Sequence, residues 1–383
     1  MKRFNISAAS YGLSATGFLL AAFLVFTAGC KKGINPKATK DFKQVNLVAN
    51  NDEYNNPGID SILLNAWGLA FSPTGIAWVT SQAGHVSTVY DKDGNIVRPP
   101  VTIPSPGGPL GGNPTGIVFN GSGDFVLANG QPARFIFVGV DGILSGWNQS
   151  AGNNALLIKN NVASSSYTGL ALAAYNGANF LYAANFRTGK IDVWDKDFNS
   201  VTMPFKDPNL PPGFSPFNIQ LVGNVLYVAY AKVGPDGRHQ AGAGNGYVSI
   251  FNTGGDFIER FASKDYLNSP WGITEAPAGF FEDMNRGYND KVSPDNKTGN
   301  PGNDNNQPIL LIGNFGDGRI NAYSGNGQFI GQLKDHTHTI EIPGLWALVF
   351  PPASATSIDP NRLYFTAGPD EEEDGLFGYL IKQ

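Results

Sequence analysis

The residues of this chain that could carry chemistry are few and unevenly placed. Of the four histidines, His85, His239, His336 and His338, only the last two are near neighbours. In an extended segment the His336-x-His338 spacing turns both rings to one face, so the pair is either a surface metal contact or two loop histidines without a role. The string Asp91-Lys92-Asp93-Gly94-Asn95 starts like a calcium loop but lacks the closing glutamate, and reads better as a hairpin turn. The run Asp370-Glu371-Glu372-Glu373-Asp374 is either solvated loop charge or a weak cation patch. No Gly-x-Ser-x-Gly elbow, His-Glu-x-x-His pair or phosphate-cradling glycine loop occurs.

Asparagines and aromatics recur. Asn129, Asn185 and Asn314 each follow an expected second strand, and Asn218 lies on a first strand. A hard cation wants six to eight oxygens, and Asn185, Asn218, Asn314 and Glu275 are a candidate calcium set, with Asp317 and Asp370 as further charges. The competing reading is repeated turn asparagines that tolerate left-handed backbone. A second set, Trp67, Thr115, Thr168, Phe217, Trp271 and Trp346, occupies equivalent places in a recurring phrase. Flat, amphipathic indoles suit stacking on sugars or peptides, so Trp67, Phe217, Trp271 and Trp346, with Asn129 and Asn185, are candidate ligand contacts. The alternative is that these aromatics wedge between neighbouring structural units as packing.

The elements that would gather such scattered residues are short strands between Gly, Asn, Asp and Pro turns, without a sustained helical period. One phrase, an aromatic or threonine, then a small residue, then apolar alternation, occurs six times, at 66–71, 114–119, 167–172, 216–221, 270–274 and 345–350. Between the small residues the steps are 48, 53, 49, 54 and 75, and the last falls to 43 without the polar stretch 277–308. Such a period suits propeller blades. Second strands are expected at 76–80, 125–128, 180–184, 225–231, 309–313 and 362–367. Third strands follow at 86–90, 135–140, 191–194, 247–251, 319–323 and 376–381. Fourth strands follow in five units, at 96–103, 155–162, 201–205, 257–261 and 329–333, but the chain ends before a sixth. Segment 43–49 can supply the missing strand. The expected fold is therefore all-β: a six-bladed β-propeller with four-stranded blades, its ring closed by an N-terminal strand pairing in the last blade. A second insertion, 232–246, interrupts the fourth unit.

The chain begins with Lys2 and Arg3, continues through an apolar run from Leu13 to Phe26, and reaches Thr27-Ala28-Gly29-Cys30 before Lys31-Lys32. That order predicts a lipoprotein signal over 1–29, cleavage before Cys30, lipidation of its thiol and a flexible tether over 30–40 ahead of a 41–383 propeller. Cys30 is the only cysteine, so no disulfide or thiolate site is expected in the fold. Lys31 in place of aspartate favours an outer-membrane address. The mature part carries 24 basic against 31 acidic residues, a balance that lacks the footprint of a nucleic-acid binder. A monomer is expected.

Five strings carry a resemblance: Asn65-Ala66-Trp67-Gly68-Leu69-Ala70, Leu181-Tyr182-Ala183-Ala184-Asn185-Phe186-Arg187-Thr188-Gly189, Phe214-Ser215-Pro216-Phe217-Asn218-Ile219-Gln220, Gly313-Asn314-Phe315-Gly316-Asp317-Gly318 and Gly375-Leu376-Phe377-Gly378. They resemble a family of exported bacterial proteins without established activity, and the repeat is similar to the NHL type of six-bladed propeller. That type includes protein-binding modules, lyase domains and lactonase-like relatives. The resemblance implies architecture rather than chemistry. The leading expectation is a non-catalytic binding or scaffold module without a cofactor, presenting its channel mouth and the 277–308 loop to a protein, peptide or glycan. The rival is a calcium-assisted hydrolase or lyase. Missing motifs leave an enzyme open, because propeller sites assemble from separate blades.

Overall fold

The computed structural model describes residues 36–281 and 308–383. The expected signal segment, Cys30, the first part of the expected tether and residues 282–307 of the 277–308 insertion lie outside the described residues. Everything below belongs to the unit Gly33–Gln383.

Among the described residues six sheets of four or five strands form the blades, and a two-stranded ribbon, Pro104–Ser105 with Gly108–Gly111, lies between the first and the second along the chain. The innermost strands of the blades are Ala66–Phe71, Pro114–Phe119, Tyr167–Tyr175, Phe214–Val222, Pro270–Glu275 and Leu345–Val349. Each innermost strand neighbours that of the next blade, and the sixth neighbours the first, so the ring is closed. The small residue of the recurring phrase is explained by this closeness. A Cβ on Gly68 would sit 2.2 Å from the Thr115 carbonyl oxygen, and one on Gly116 would sit 2.5 Å from the Leu170 nitrogen. Inner strands of adjacent blades approach backbone to backbone here, and a side chain has no room. Where Asn218 stands in the same register, its amide reaches the next blade and donates to the Trp271 carbonyl at 2.7 Å.

The last blade closes as expected. Phe42–Ala49 pairs antiparallel with Leu376–Lys382, from Phe42 opposite Lys382 to Ala49 opposite Leu376, with a bulge at Asn46/Val48. Pairing the two ends of the fold covers an edge that would otherwise offer unpaired backbone groups. Gly58–Ile59 adds a short parallel fifth strand outside it. Phe42 anchors the closure, fully buried with its ring 4.9 Å from Phe280 and 5.9 Å from Phe281.

Blade two departs from the expected strands. Its second strand is Phe135–Gly139, paired with Pro114–Phe119, and its third is Ile143–Trp147. Residues 125–128 belong instead to the connection between the first two strands, where Val126 bridges Pro132. Phe125 takes a left-handed φ of 61° and buries its ring 5.5 Å from Phe198 of blade three. The alternation that looks like a strand is thus a loop packing two side chains, Phe125 and Leu127, into a blade interface.

Register also orients the ring. Inner strands begin where second strands end, as Pro114 opposite Gly139 and Pro270 opposite Asn314 show. We call this end the mouth. The 232–246 insertion joins Val225–Lys232 to Gly246–Phe251 at the mouth. The 277–308 insertion joins Pro270–Glu275 to Ile309–Asn314 and leaves from the opposite end. The 277–308 loop, expected to face a partner together with the channel mouth, therefore starts from the opposite face.

Candidate functional site

Beneath the mouth the recurring phrase brings its aromatics together. Trp67 stacks on Trp346 with centroids 3.5 Å apart and planes 14° apart. Phe217 lies 5.7 Å from Trp346, Phe315 lies 4.0 Å from it, and Trp271 meets it edge-on at 5.9 Å. Trp346 is wholly buried, and Trp67 and Trp271 are 5% exposed. The layer plugs the channel. Trp346 packs at the centre of the layer, Trp271 also borders the cavity on the far side, and Trp67 and Phe217 line a cavity of about 450 Å³ on the mouth side. On the other side lies a cavity of about 250 Å³ lined by Leu69, Ile117, Leu170 and Leu348 among others. The indole of Trp346 donates to Asn65 Oδ1 at 2.8 Å, and that of Trp271 to the Thr168 carbonyl at 2.9 Å. Among the described residues the buried Trp67 N–H has no hydrogen-bond partner. Thr115, equivalent in the phrase, stitches blades by donating to the Tyr167 carbonyl at 2.7 Å.

Two segments wall the cavity above this floor. In the blade-four insertion the string Gly234-Pro235-Asp236-Gly237 turns the chain, Val233 bridges His239, and Gly237 takes a φ of 78°. The hairpin so formed brings Arg238 and His239 to the cavity. His239 lies 4.9 Å from Phe217 and 4.6 Å from Phe315. Burial, aided by the Arg238 charge and opposed by Asp236, pushes its imidazole down to about 4, so the ring is neutral at physiological pH. The second wall is the acidic run of blade six, with Glu371, Glu372 and Glu373 at the cavity. Asp370, Glu371 and Glu372 have φ of 51°, 55° and 75°, three successive left-handed residues that are not glycine. Such backbone costs about 1–2 kcal/mol per residue. It is held partly through side chains: Glu372 accepts from Arg238 Nη2 at 2.7 Å and from Asn65 Nδ2 at 2.9 Å. Burial pushes the Glu372 carboxyl up, while Arg238 and Asn65 draw it down. Gln82, Ser166 and Thr168 complete the polar lining.

The asparagines are differently employed. Asn185 donates to Asp192 at 2.9 Å and Ser165 at 3.0 Å and accepts from the Ser166 nitrogen at 3.2 Å. Asn314 donates to the Tyr266 carbonyl at 2.7 Å and Asp317 at 3.0 Å. Both are turn asparagines at the mouth end of second strands. Asn218 joins blades four and five within the ring, as described. Glu275 is exposed at the far end of its strand, opposite Leu310, away from Asn314. Asn129 requires a correction: with 125–128 in a loop, it lies on the face opposite the mouth and pairs with Asn148 at 2.9 Å. Among the described residues no three His, Cys, Asp or Glu side chains are grouped to hold a metal ion.

Other motifs resolve locally. Asp91 accepts from the nitrogens of Asp93 and Asn95, each at 2.9 Å, which makes its string a hairpin turn. His336 meets Asp41 at 2.7 Å, and His338 is largely exposed. Sequence reasoning passed over Arg238, His239 and Asn65 as site residues. The available signal was Gly-Pro-Asp-Gly, a hairpin turn placed to extend a strand pair into the mouth.

No protein-family model matches the chain. "Uncharacterized protein R648" of Acanthamoeba polyphaga mimivirus is 32% identical over 378 residues, covering 92% of this chain and 84% of that protein. "Uncharacterized protein L690" of the same virus is 30% identical over 362 residues, covering 88% and 86%. Among solved structures, virginiamycin B lyase from Staphylococcus aureus aligns with a TM-score of 0.48 and 14% identity, over 89% of this chain and 99% of that one. The gluconolactonase XC5397 from Xanthomonas campestris aligns with a TM-score of 0.45 and 14% identity, over 82% and 86%. The relatives of appreciable identity are viral, so the exported bacterial origin expected from the sequence strings draws no support from them. This six-bladed propeller belongs to one family with the mimivirus proteins R648 and L690.

Proposed function

We propose that this protein is a non-catalytic binding propeller that lodges a protein, peptide or glycan at its mouth and is tethered to the outer membrane through lipidated Cys30. The observation that carries the binding reading is the cavity of about 450 Å³, floored by Trp67 and Phe217 and rimmed by polar groups from four loops. Concave sites with an apolar body and a few convergent polar groups are where ligands settle. The tether rests on Thr27-Ala28-Gly29-Cys30 and Lys31 alone. A calcium-assisted hydrolase or lyase would require Asn185, Asn218, Asn314 and Glu275 to share one ion, whereas the three asparagines are hydrogen-bonded in separate places and Glu275 lies at the far end of its strand.

The test is a titration of the full chain with a panel of peptides and oligosaccharides, read by tryptophan fluorescence, because the stacked Trp67 and Trp346 lie directly under the cavity. Saturable binding weakened by Gln82→Ala, with unchanged melting, supports the reading. Binding indifferent to Gln82 but lost on substitution at the opposite face overturns it. Labelling with a radioactive fatty acid, lost in Cys30→Ala, tests the tether.

A further inference from the structure

Resting on that binding reading, we infer that the mouth receives an arginine side chain of a peptide partner, and that Arg238 is its tethered stand-in in the present state. The ion pair Arg238–Glu372 is asymmetric. Glu372 has a side chain only 17% exposed, whereas that of Arg238 is 65% exposed. The carboxylate is positioned from inside the ring: its second oxygen takes the Asn65 amide at 2.9 Å, and Asn65 in turn takes the Trp346 indole at 2.8 Å. Arg238 meets the carboxylate's other oxygen from an exposed side chain. It sits on the tip of a hairpin, and the insertion's glycines include Gly242 and Gly244, whose φ of 157° and 78° only glycine adopts readily. The acid is thus a built acceptor, and the base is a removable occupant.

Charge and shape agree on what could replace it. Without Arg238 the mouth would present Asp236, Asp370, Glu371, Glu372 and Glu373 with the neutral His239 between them. A cation is complementary. The floor is aromatic, so a flat, weakly hydrated guanidinium gains from stacking while it donates to a carboxylate; a compact, strongly hydrated ammonium gains less. The partner is therefore recognised by arginine in preference to lysine, and only when the hairpin withdraws its own arginine.

The experiment uses the full chain and fluorescently labelled acetyl-Gly-Arg-Gly-amide, with the uncharged citrulline peptide and the lysine peptide as counterparts. Wild-type protein is expected to prefer arginine over both. Arg238→Ala should tighten arginine binding about fivefold, the worth of an exposed ion pair that no longer competes. Glu372→Gln should weaken it, with circular dichroism confirming that each variant is folded. Equal affinity for the arginine and citrulline peptides, or for the arginine and lysine peptides, overturns the inference. If that equal binding still weakens in Gln82→Ala, the mouth remains a binding site and only the arginine preference fails. If no peptide binds wild type or Arg238→Ala while an oligosaccharide does so through Gln82, the arginine inference fails alone. If nothing binds at the mouth, both readings fall.

Discussion

Acidification should loosen the fold through His239, and the size of the effect follows from its surroundings. In the folded chain burial beside Phe217 and Phe315 holds the imidazole down to about 4, against 6.5 in an unfolded chain. Above the unfolded value both states carry a neutral ring, and His239 makes no pH-dependent contribution. Between 6.5 and about 4 the unfolded chain takes up a proton that the folded chain refuses, so stability falls as pH falls through this window. The complete loss, reached below about pH 4, is about 3 kcal/mol. About 2 kcal/mol of it should appear between pH 7 and about pH 5. Glu372, whose carboxyl is pushed up by burial, acts in the opposite sense: it retains a proton in the folded state and gains stability on acidification. A comparison at a single position separates the two. His239→Phe preserves the ring between its neighbours and removes the titration, leaving Glu372, Asp236 and the other rim acids in both proteins. Urea denaturation of wild type and variant across this range should show the wild type losing about 2 kcal/mol relative to the variant. Parallel pH profiles would refute the placement of a neutral imidazole in the aromatic layer.

Three structural predictions accompany it. Gly169→Ala would put a Cβ 2.0 Å from Asn218 Oδ1 and 2.9 Å from its Cα, forcing blades three and four apart; thermal melts should show a loss of about 1–3 kcal/mol. Asp207→Ala removes the buried carboxylate that accepts from Arg260 Nε at 2.7 Å and from Ser249 at 2.6 Å, and leaves a mostly buried guanidinium unpaired; denaturant unfolding should register about 3 kcal/mol. Phe42→Ala empties the contact with Phe280 and Phe281 at the closure of the ring and should lower stability by about 3–5 kcal/mol in the same assay, with faster proteolysis near the N-terminal strand.

The number of blades was legible in the sequence because one steric requirement recurs at every inner strand. Gly68, Gly116, Gly169 and Gly272 each face the next blade at a distance that excludes a Cβ, so the same small residue returns at each turn of the ring. The closing strand was legible for a related reason: five units had an outer strand and one did not. Blade two was misread because Phe125-Val126-Leu127-Ala128 alternates as a strand does, and nothing in a phenylalanine announces a left-handed φ of 61°. Asn129 moved to the wrong face with it.

The site was less legible, and the reason separates what repeats from what does not. Trp67, Phe217 and Trp346 could be placed together because they repeat with the blades. Arg238 and Glu372 are 134 residues apart, and both lie in segments that no other blade possesses. Their meeting depends on a hairpin in one blade and on three successive left-handed residues in another, geometries that composition does not encode. A repeated residue in a propeller answers to the ring, since every blade must satisfy the same packing. Asn185 and Asn314 illustrate this: they recur, and each ties the end of its second strand to the connection that enters the same blade. A charged residue in an unrepeated loop that is nonetheless anchored to the inner ring, as Glu372 is through Asn65, answers to something other than the ring. That distinction locates the candidate site in the insertion and the acidic run rather than in the recurring asparagines.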